Sequence, residues 1–281
     1  MERRKFINRT LWGIGGAALL GGLYTWQVEP FWVEYVHVKM PIPNLPAHLE
    51  GKTLVQISDM HISRRFNHQY MLKAFEKIKA MNPDFVVYTG DYVTKYSEEK
   101  QDQRLSAVLE QAPKGKLGTA AVLGNHDYGK NWAQPAVANK ITSLLEEHGI
   151  TVLRNDCIDL DGLNIIGIDD FWGINFQPEK AMASFDKTKA NLVLCHNPDA
   201  CDLDFWGEYN SWILSGHTHG GQVKPPFLPA PQLPVKNKKY SSGEIALSGG
   251  RTLYINRAIG HLWQVRFNVR PEITIFHLEK K

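Results

Sequence analysis

Lys52-Thr53-Leu54-Val55-Gln56-Ile57-Ser58-Asp59-Met60-His61 carries the reading of the fold. Its first half is a short apolar run rich in β-branched side chains, which predicts a buried strand over Thr53 to Ile57. Downstream, Met71, Ala74, Phe75 and Ile78 recur at helical spacing until Asn82-Pro83 halts them. Phe85 to Tyr88 is a second strand, Leu105, Val108 and Leu109 mark a second helix, and Ala120 to Leu123 is a third strand. Val137, Ile141, Leu144 and Leu145 complete a third helix. Three such alternations imply parallel strands joined by right-handed crossovers, with the loops that follow the strands gathered on one ligand-binding edge.

After Thr151 short strands dominate, at 163–168, 192–195, 212–214, 253–256 and 273–278, with one helix around Pro178 to Phe185. Residues 50–281 therefore read as one two-sheet α/β domain. Upstream, Pro30, Pro41, Pro43 and Pro46 predict an extended connector over 30–49 with one edge strand, Val33 to Lys39. Residues 1–29 read as a leader. Arg3, Arg4, Lys5 and Arg9 precede an uncharged stretch from Thr10 to Val28 that five glycines weaken. Glu2-Arg3-Arg4-Lys5-Phe6-Ile7-Asn8 has the pattern of a twin-arginine export signal, kept as a membrane tether if uncleaved. That places the domain at a bacterial inner membrane or in the periplasm or wall, with cleavage of the leader and oligomeric state left open.

The 281 residues, 43% hydrophobic and 22% charged, exclude a disordered chain, and three cysteines without paired spacing exclude a disulfide scaffold. The net charge of +3 is that of Arg3, Arg4, Lys5 and Arg9 against Glu2; without that cluster, 28 basic residues face 28 acidic ones. A neutral domain is not built around nucleic acid.

The polar residues closing the strands form a set: Asp59 and His61; Gly90-Asp91; Gly124-Asn125-His126-Asp127; Cys195-His196-Asn197; and Gly216-His217-Thr218-His219. Carboxylate, amide oxygen and imidazole suit Mn, Fe or Zn, and seven ligands exceed the need of one ion. Two ions 3.5–4 Å apart, the usual dinuclear spacing, would use them all. Residues i and i+2 at a strand end are expected to point the same way, so that Asp59 converges with His61 and His217 with His219. Glycines 90, 124 and 216 are expected to allow tight turns beside the ions.

This ordered set resembles that of the calcineurin-like metallophosphoesterases from about Lys52 to the C-terminus. The runs Ser58-Asp59-Met60-His61, Cys195-His196-Asn197-Pro198-Asp199 and Ser215 to Gln222 look like its bacterial YaeI/YkuE branch. The resemblance implies a four-layer sandwich of two packed mixed sheets flanked by helices. It also implies a cofactor of two divalent ions, Mn²⁺ first and Fe²⁺ or Zn²⁺ as alternatives. Asp59, His61 and His219 would hold one ion, Asn125, His196 and His217 the other, and Asp91 would bridge. His126 would serve the leaving oxygen, with Asp127 orienting its ring. A metal-bridging hydroxide would then attack phosphorus in line. Thr94 stands where purple acid phosphatases carry a tyrosine, which sets that branch aside.

The implied function is a phosphodiesterase or phosphatase acting on a small or lipid-linked phosphoester. The alternatives are a membrane-associated pyrophosphatase for UDP-2,3-diacylglucosamine, and a wall-binding protein with a vestigial metal site. Arg64 and Arg257 are the candidates for gripping phosphate oxygens. His37, His48, His68, His148, His261 and His277 fit no motif. Tryptophans 172, 206, 212 and 263 read as core, with Trp172 at the cleft border.

Overall fold

The computed structural model describes residues 2–96 and 100–281, so the leader's first residue and 97–99 lie outside the described residues. A first sheet is built from β1 (Glu34–Ile42), β2 (Thr53–Ile57), β3 (Phe85–Thr89), β4 (Gly118–Val122) and β5 (Thr151–Val152). A second is built from β6 (Asp156–Leu160), β7 (Leu163–Ile168), β8 (Ala190–Cys195), β9 (Trp212–Ser215), β10 (Gly243–Ala246) and β11 (Thr252–Ile255). The chain ends in β12 (Glu272–Lys280), which returns to the first sheet; the orders are β1-β12-β2-β3-β4-β5 and β10-β11-β9-β8-β7-β6. Strands β2 to β5 run parallel, as do β7, β8, β9 and β11, while β12 runs antiparallel to β2.

Period-two alternation sorts each strand between two cores. In β2 and β3, Leu54, Phe85 and Val87 face the second sheet and pack with Leu163, Ile165, Leu192, Leu194 and Leu214. Val55, Ile57, Val86 and Tyr88 face the opposite way, onto the helices. These are α2 (Gln69–Met81), α3 (Gln101–Leu109) and α4 (Pro135–Glu147), which bury Phe75, Ile78, Leu105 and Ile141 against the sheet. The outer face of the second sheet packs a third cluster that includes Ala181 of α5 (Pro178–Met182), a helix shorter than its sequence pattern. The result is the expected four-layer α/β sandwich.

One boundary differs. The connector expected over 30–49 supplies a nine-residue strand, β1, paired in parallel with β12, and Met40, Ile42, Leu45 and Leu49 lie in the inter-sheet core. The edge strand expected over Val33 to Lys39 is there and runs on to Ile42, and the packed unit reaches back before residue 50 because pairing with β12 brings this segment onto the core. N-terminal to it, α1 (Glu2–Leu23) is exposed along its whole length. Among the described residues, no helix is long and apolar enough to cross a membrane.

Candidate metal centre

Both sheets direct the C-terminal ends of their parallel strands to one edge. There Asp59 and His61 follow β2, Asp91 follows β3, Asn125 follows β4, His196 follows β8, and His217 and His219 follow β9. All seven are buried. Three overlapping groups can each hold an ion: Asp59, His61 and His219; His61, Asp91 and His126; and Asp91, His196 and His217. Asp91 belongs to the last two. Its Oδ2 lies 3.6 Å from His61 Nε2 and 3.2 Å from His196 Nε2, while its Oδ1 accepts the His126 amide N–H at 2.9 Å.

Strand periodicity does not cause this convergence, contrary to expectation. Asp59, His61, Asp91, His217 and His219 lie beyond the strand ends and adopt positive φ between 47° and 70°. Left-handed backbone is uncommon outside glycine and gathers where a site over-determines it. Of the three glycines, only Gly90 needs freedom of φ, at +92°. Gly124 and Gly216 are required for closeness: a methyl on the former would collide with Asp91, and on the latter with Ser58 Oγ and Asp59 Oδ2.

The residues fit a dinuclear metal. His61 Nε2 faces His219 Nε2 at 3.0 Å, His196 Nε2 faces His217 Nδ1 at 3.2 Å, and His219 Nε2 lies 3.3 Å from Asp59 Oδ1. The buried carboxamide oxygen of Asn125 has no partner. Such crowding of basic atoms calls for a shared cation. Two rings are already oriented for one: His196 Nδ1 lies 2.7 Å from the Thr89 carbonyl and His217 Nε2 lies 2.9 Å from the Pro234 carbonyl. Donation of those N–H groups leaves His196 Nε2 and His217 Nδ1 as ligand atoms.

Charge follows the same plan. Burial pushes the Asp59 carboxyl up, but His219 and His196 outweigh it and hold the group down at about 2. Asp91 is likewise held well below its usual value by His196, His126 and His61 against burial. Burial, with His196 adding to it, pushes the His217 ring down to about 3 against the pull of Asp91 and Asp59.

His126 and Asp127 part company. The His126 Nδ1 atom lies 2.8 Å from the Thr94 carbonyl, so donation there turns Nε2 away from the loop; its ring meets that of His61 edge-on at 5.0 Å. Asp127 does not orient that ring. Its carboxylate accepts backbone N–H groups from Gly124, Asp91 and Tyr92 at 2.8, 2.9 and 2.9 Å, and so fixes the loops that carry Asp91 and Asn125. Arg257 is also spoken for: it is paired with Glu272 and, at 3.0 Å, with Glu34, so its guanidinium braces β1 and β12 instead of facing phosphate. Arg64 is exposed on the turn after His61.

Other contributors escaped the sequence reading. Arg266 is fully buried, and its two terminal nitrogens donate to the carbonyls of Arg257, Ala258, Gly260 and Val269. The loop it pins lies on the ligand turn, where Ile259 and Gly260 N–H groups donate to the Ser58 and Asp59 carbonyls. Asp170, at the end of β7, is buried with Oδ1 unpartnered, and burial pushes its carboxyl up to about 7. A polar pair closing a strand was its only signal. Trp206 and Trp212 are core; Trp263 is 70% exposed; Trp172 meets the His217 ring edge-on at 4.5 Å.

Residues 52–221 match the model of the calcineurin-like phosphoesterase family. The chain is 31% identical to the uncharacterized metallophosphoesterase YkuE of Bacillus subtilis, over 99% of this chain and 98% of that protein. It is 30% identical to the phosphodiesterase YaeI of Escherichia coli, over 99% of both. It is 27% identical to the UDP-2,3-diacylglucosamine pyrophosphatase LpxG of Chlamydia muridarum, over 96% of this chain and 97% of that one.

Proposed function

This chain belongs to the calcineurin-like phosphoesterase family and is a metal-dependent phosphoester hydrolase, and we propose that it cleaves phosphodiesters at a pair of Mn²⁺ ions. The observation that carries this reading is the position of Asp91 Oδ2, within 3.2–3.6 Å of imidazoles from both halves of the site. Asp59, His61 and His219 would hold one ion, Asn125, His196 and His217 the other, and Asp91 both. Bound there, the ions supply Lewis acidity to the phosphoryl oxygens and acidify water.

The chain's own groups do the rest. His126, turned by Thr94, presents Nε2 to the leaving oxygen and gives it a proton. Asp127 keeps Asp91 and the Asn125 loop in place. The test is hydrolysis of bis(p-nitrophenyl) phosphate and of p-nitrophenyl phosphate by the Mn²⁺-loaded protein. The diester is expected to be the better substrate; a monoester preference, or no turnover of either with Mn²⁺, would reject the reading.

A second reading concerns a lipid-linked substrate. It is favoured by the likeness to LpxG and by a cavity of about 530 Å³ beside His217 and His219. Leu233, Leu262, Trp263 and Val265 line that cavity. Phe227 and Leu228, at the tip of the loop between Val223 and Pro231, are exposed apolar groups. The helix α1, basic at Arg3, Arg4, Lys5 and Arg9, would hold the domain at an anionic membrane surface. A twin-arginine route would put it on the outer face, away from a cytosolic nucleotide lipid. Cleavage of UDP-2,3-diacylglucosamine in preference to a soluble diester would establish this version.

A further inference from the structure

We propose that Trp132, stacked on Trp172 at the rim of the centre, is a platform for the planar ring of a nucleotide whose phosphate is bound at the metal pair. The indoles lie 4.8 Å apart and 26° from parallel, and the inner one, Trp172, abuts the ligand His217 at 4.5 Å. The outer one lines a cavity of about 620 Å³ together with His126, Thr94, Lys95 and Lys130. A phosphoester that offers its leaving oxygen to His126 therefore projects its substituent into this cavity.

Packing does not account for Trp132. The residue is 37% exposed and belongs to none of the three core clusters. Its backbone is also costly, since Asn131 and Trp132 hold consecutive φ values of 56° and 57°, a conformation that a bulky side chain avoids. The turn is enforced from below: Gln134 accepts the Lys130 N–H at 2.7 Å through its side chain and donates its own N–H to the Tyr128 carbonyl at 2.8 Å. Strain held in place to present a solvent-facing indole beside a catalytic cavity is the mark of a binding position.

The chemistry selects the ligand. Stacking on an aromatic face takes any nucleobase, purine or pyrimidine, because every base has a π-face. The exposed Lys95 and Lys130 on the same cavity suit a further phosphate where the nucleotide carries one, as point charges.

The subsite rests on the phosphoester reading of the centre, and the experiment separates the two. Calorimetric Kd values are measured on Mn²⁺-loaded protein for adenosine 5′-monophosphate, uridine 5′-monophosphate and ribose 5-phosphate, which shares the sugar phosphate and lacks the base. Both nucleotides are expected to bind roughly 5- to 150-fold more tightly than ribose 5-phosphate, the range for one base on one aromatic face. Trp132→Phe should keep most of that ratio and Trp132→Ala should bring it near one. A ratio near one in the wild type, or a ratio that Trp132→Ala leaves intact, would overturn the platform. Turnover of bis(p-nitrophenyl) phosphate by the same wild-type sample reports on the hydrolase reading independently; its absence would remove that reading whatever the calorimetry gave.

Discussion

The two sheets bring unequal chemistry to a shared edge. The first contributes both carboxylates of the ligand set, the amide oxygen of Asn125 and one imidazole; the second contributes three imidazoles, His196, His217 and His219. Anionic charge is thus concentrated on one side, and the other supplies imidazole nitrogens, those of His196 and His217 already aimed by the carbonyls of Thr89 and Pro234. The division implies that the first edge neutralises the cations and the second sets their direction. A bridging position would have to come from the charged side, where Asp91 Oδ2 stands between His61 of the first sheet and His196 of the second.

The largest effect should follow from removing that bridge. Asp91→Ala is expected to cut kcat/KM by on the order of 10⁴-fold and to lower metal content by mass spectrometry, whereas His217→Ala should retain one ion. Equal metal loss in the two variants would break the asymmetry. His126→Ala should reduce turnover by about 10²–10⁴-fold while both ions stay bound, and loss of metal would make it a ligand instead. Arg266→Met leaves several buried carbonyls without donors next to the Asp59 turn. It should cost about 3 kcal/mol or more in chemical denaturation.

Smaller effects test the seam itself. Gly216→Ala forces Ser58 and the Asp59 carboxylate off the ligand position, so metal affinity by titration should fall about 10- to 100-fold. His261 lies outside the ligand set, enclosed by Phe31, Phe66 and Tyr70, and burial, with Arg266 beside it, holds its ring at about pKa 3. Unfolded chain binds a proton there below about pH 6.5 that the folded chain refuses until about pH 3. Stability should therefore fall with pH across that window. His261→Phe should remove about 1–2 kcal/mol of the loss between pH 6.5 and 5, seen as a shallower drop in Tm on acidification.

Residues whose chemistry is announced by position were legible before the fold was seen. Each ligand follows a short apolar run, and a run that ends in Asp, Asn or His at a tight turn is an economical local signal. What stayed hidden depends on partners far along the chain. Arg257 looked free for phosphate because nothing near it reveals Glu34, 223 residues away. The Asp127 carboxylate was assigned to its neighbour's ring, but three backbone N–H groups, two of them from the β3 loop, claim it first. Likewise β1 was legible as an edge strand, but its partner β12 and the burial of Met40 and Ile42 that follows were not. Left-handed φ at the ligands leaves only a weak trace in residue type: aspartate and histidine tolerate it better than most residues, but far more of them sit elsewhere.

The insertion of β12 between β1 and β2 orders events during synthesis. The last strand separates the first two, so the opening half of the molecule waits for residues near 272–280 to leave the ribosome before its sheet can close. Until then the nascent chain carries an unpaired β2 edge and an exposed N-terminal helix. Trimming even a few residues within β12 should therefore be far more damaging to soluble yield than deleting the whole of that helix.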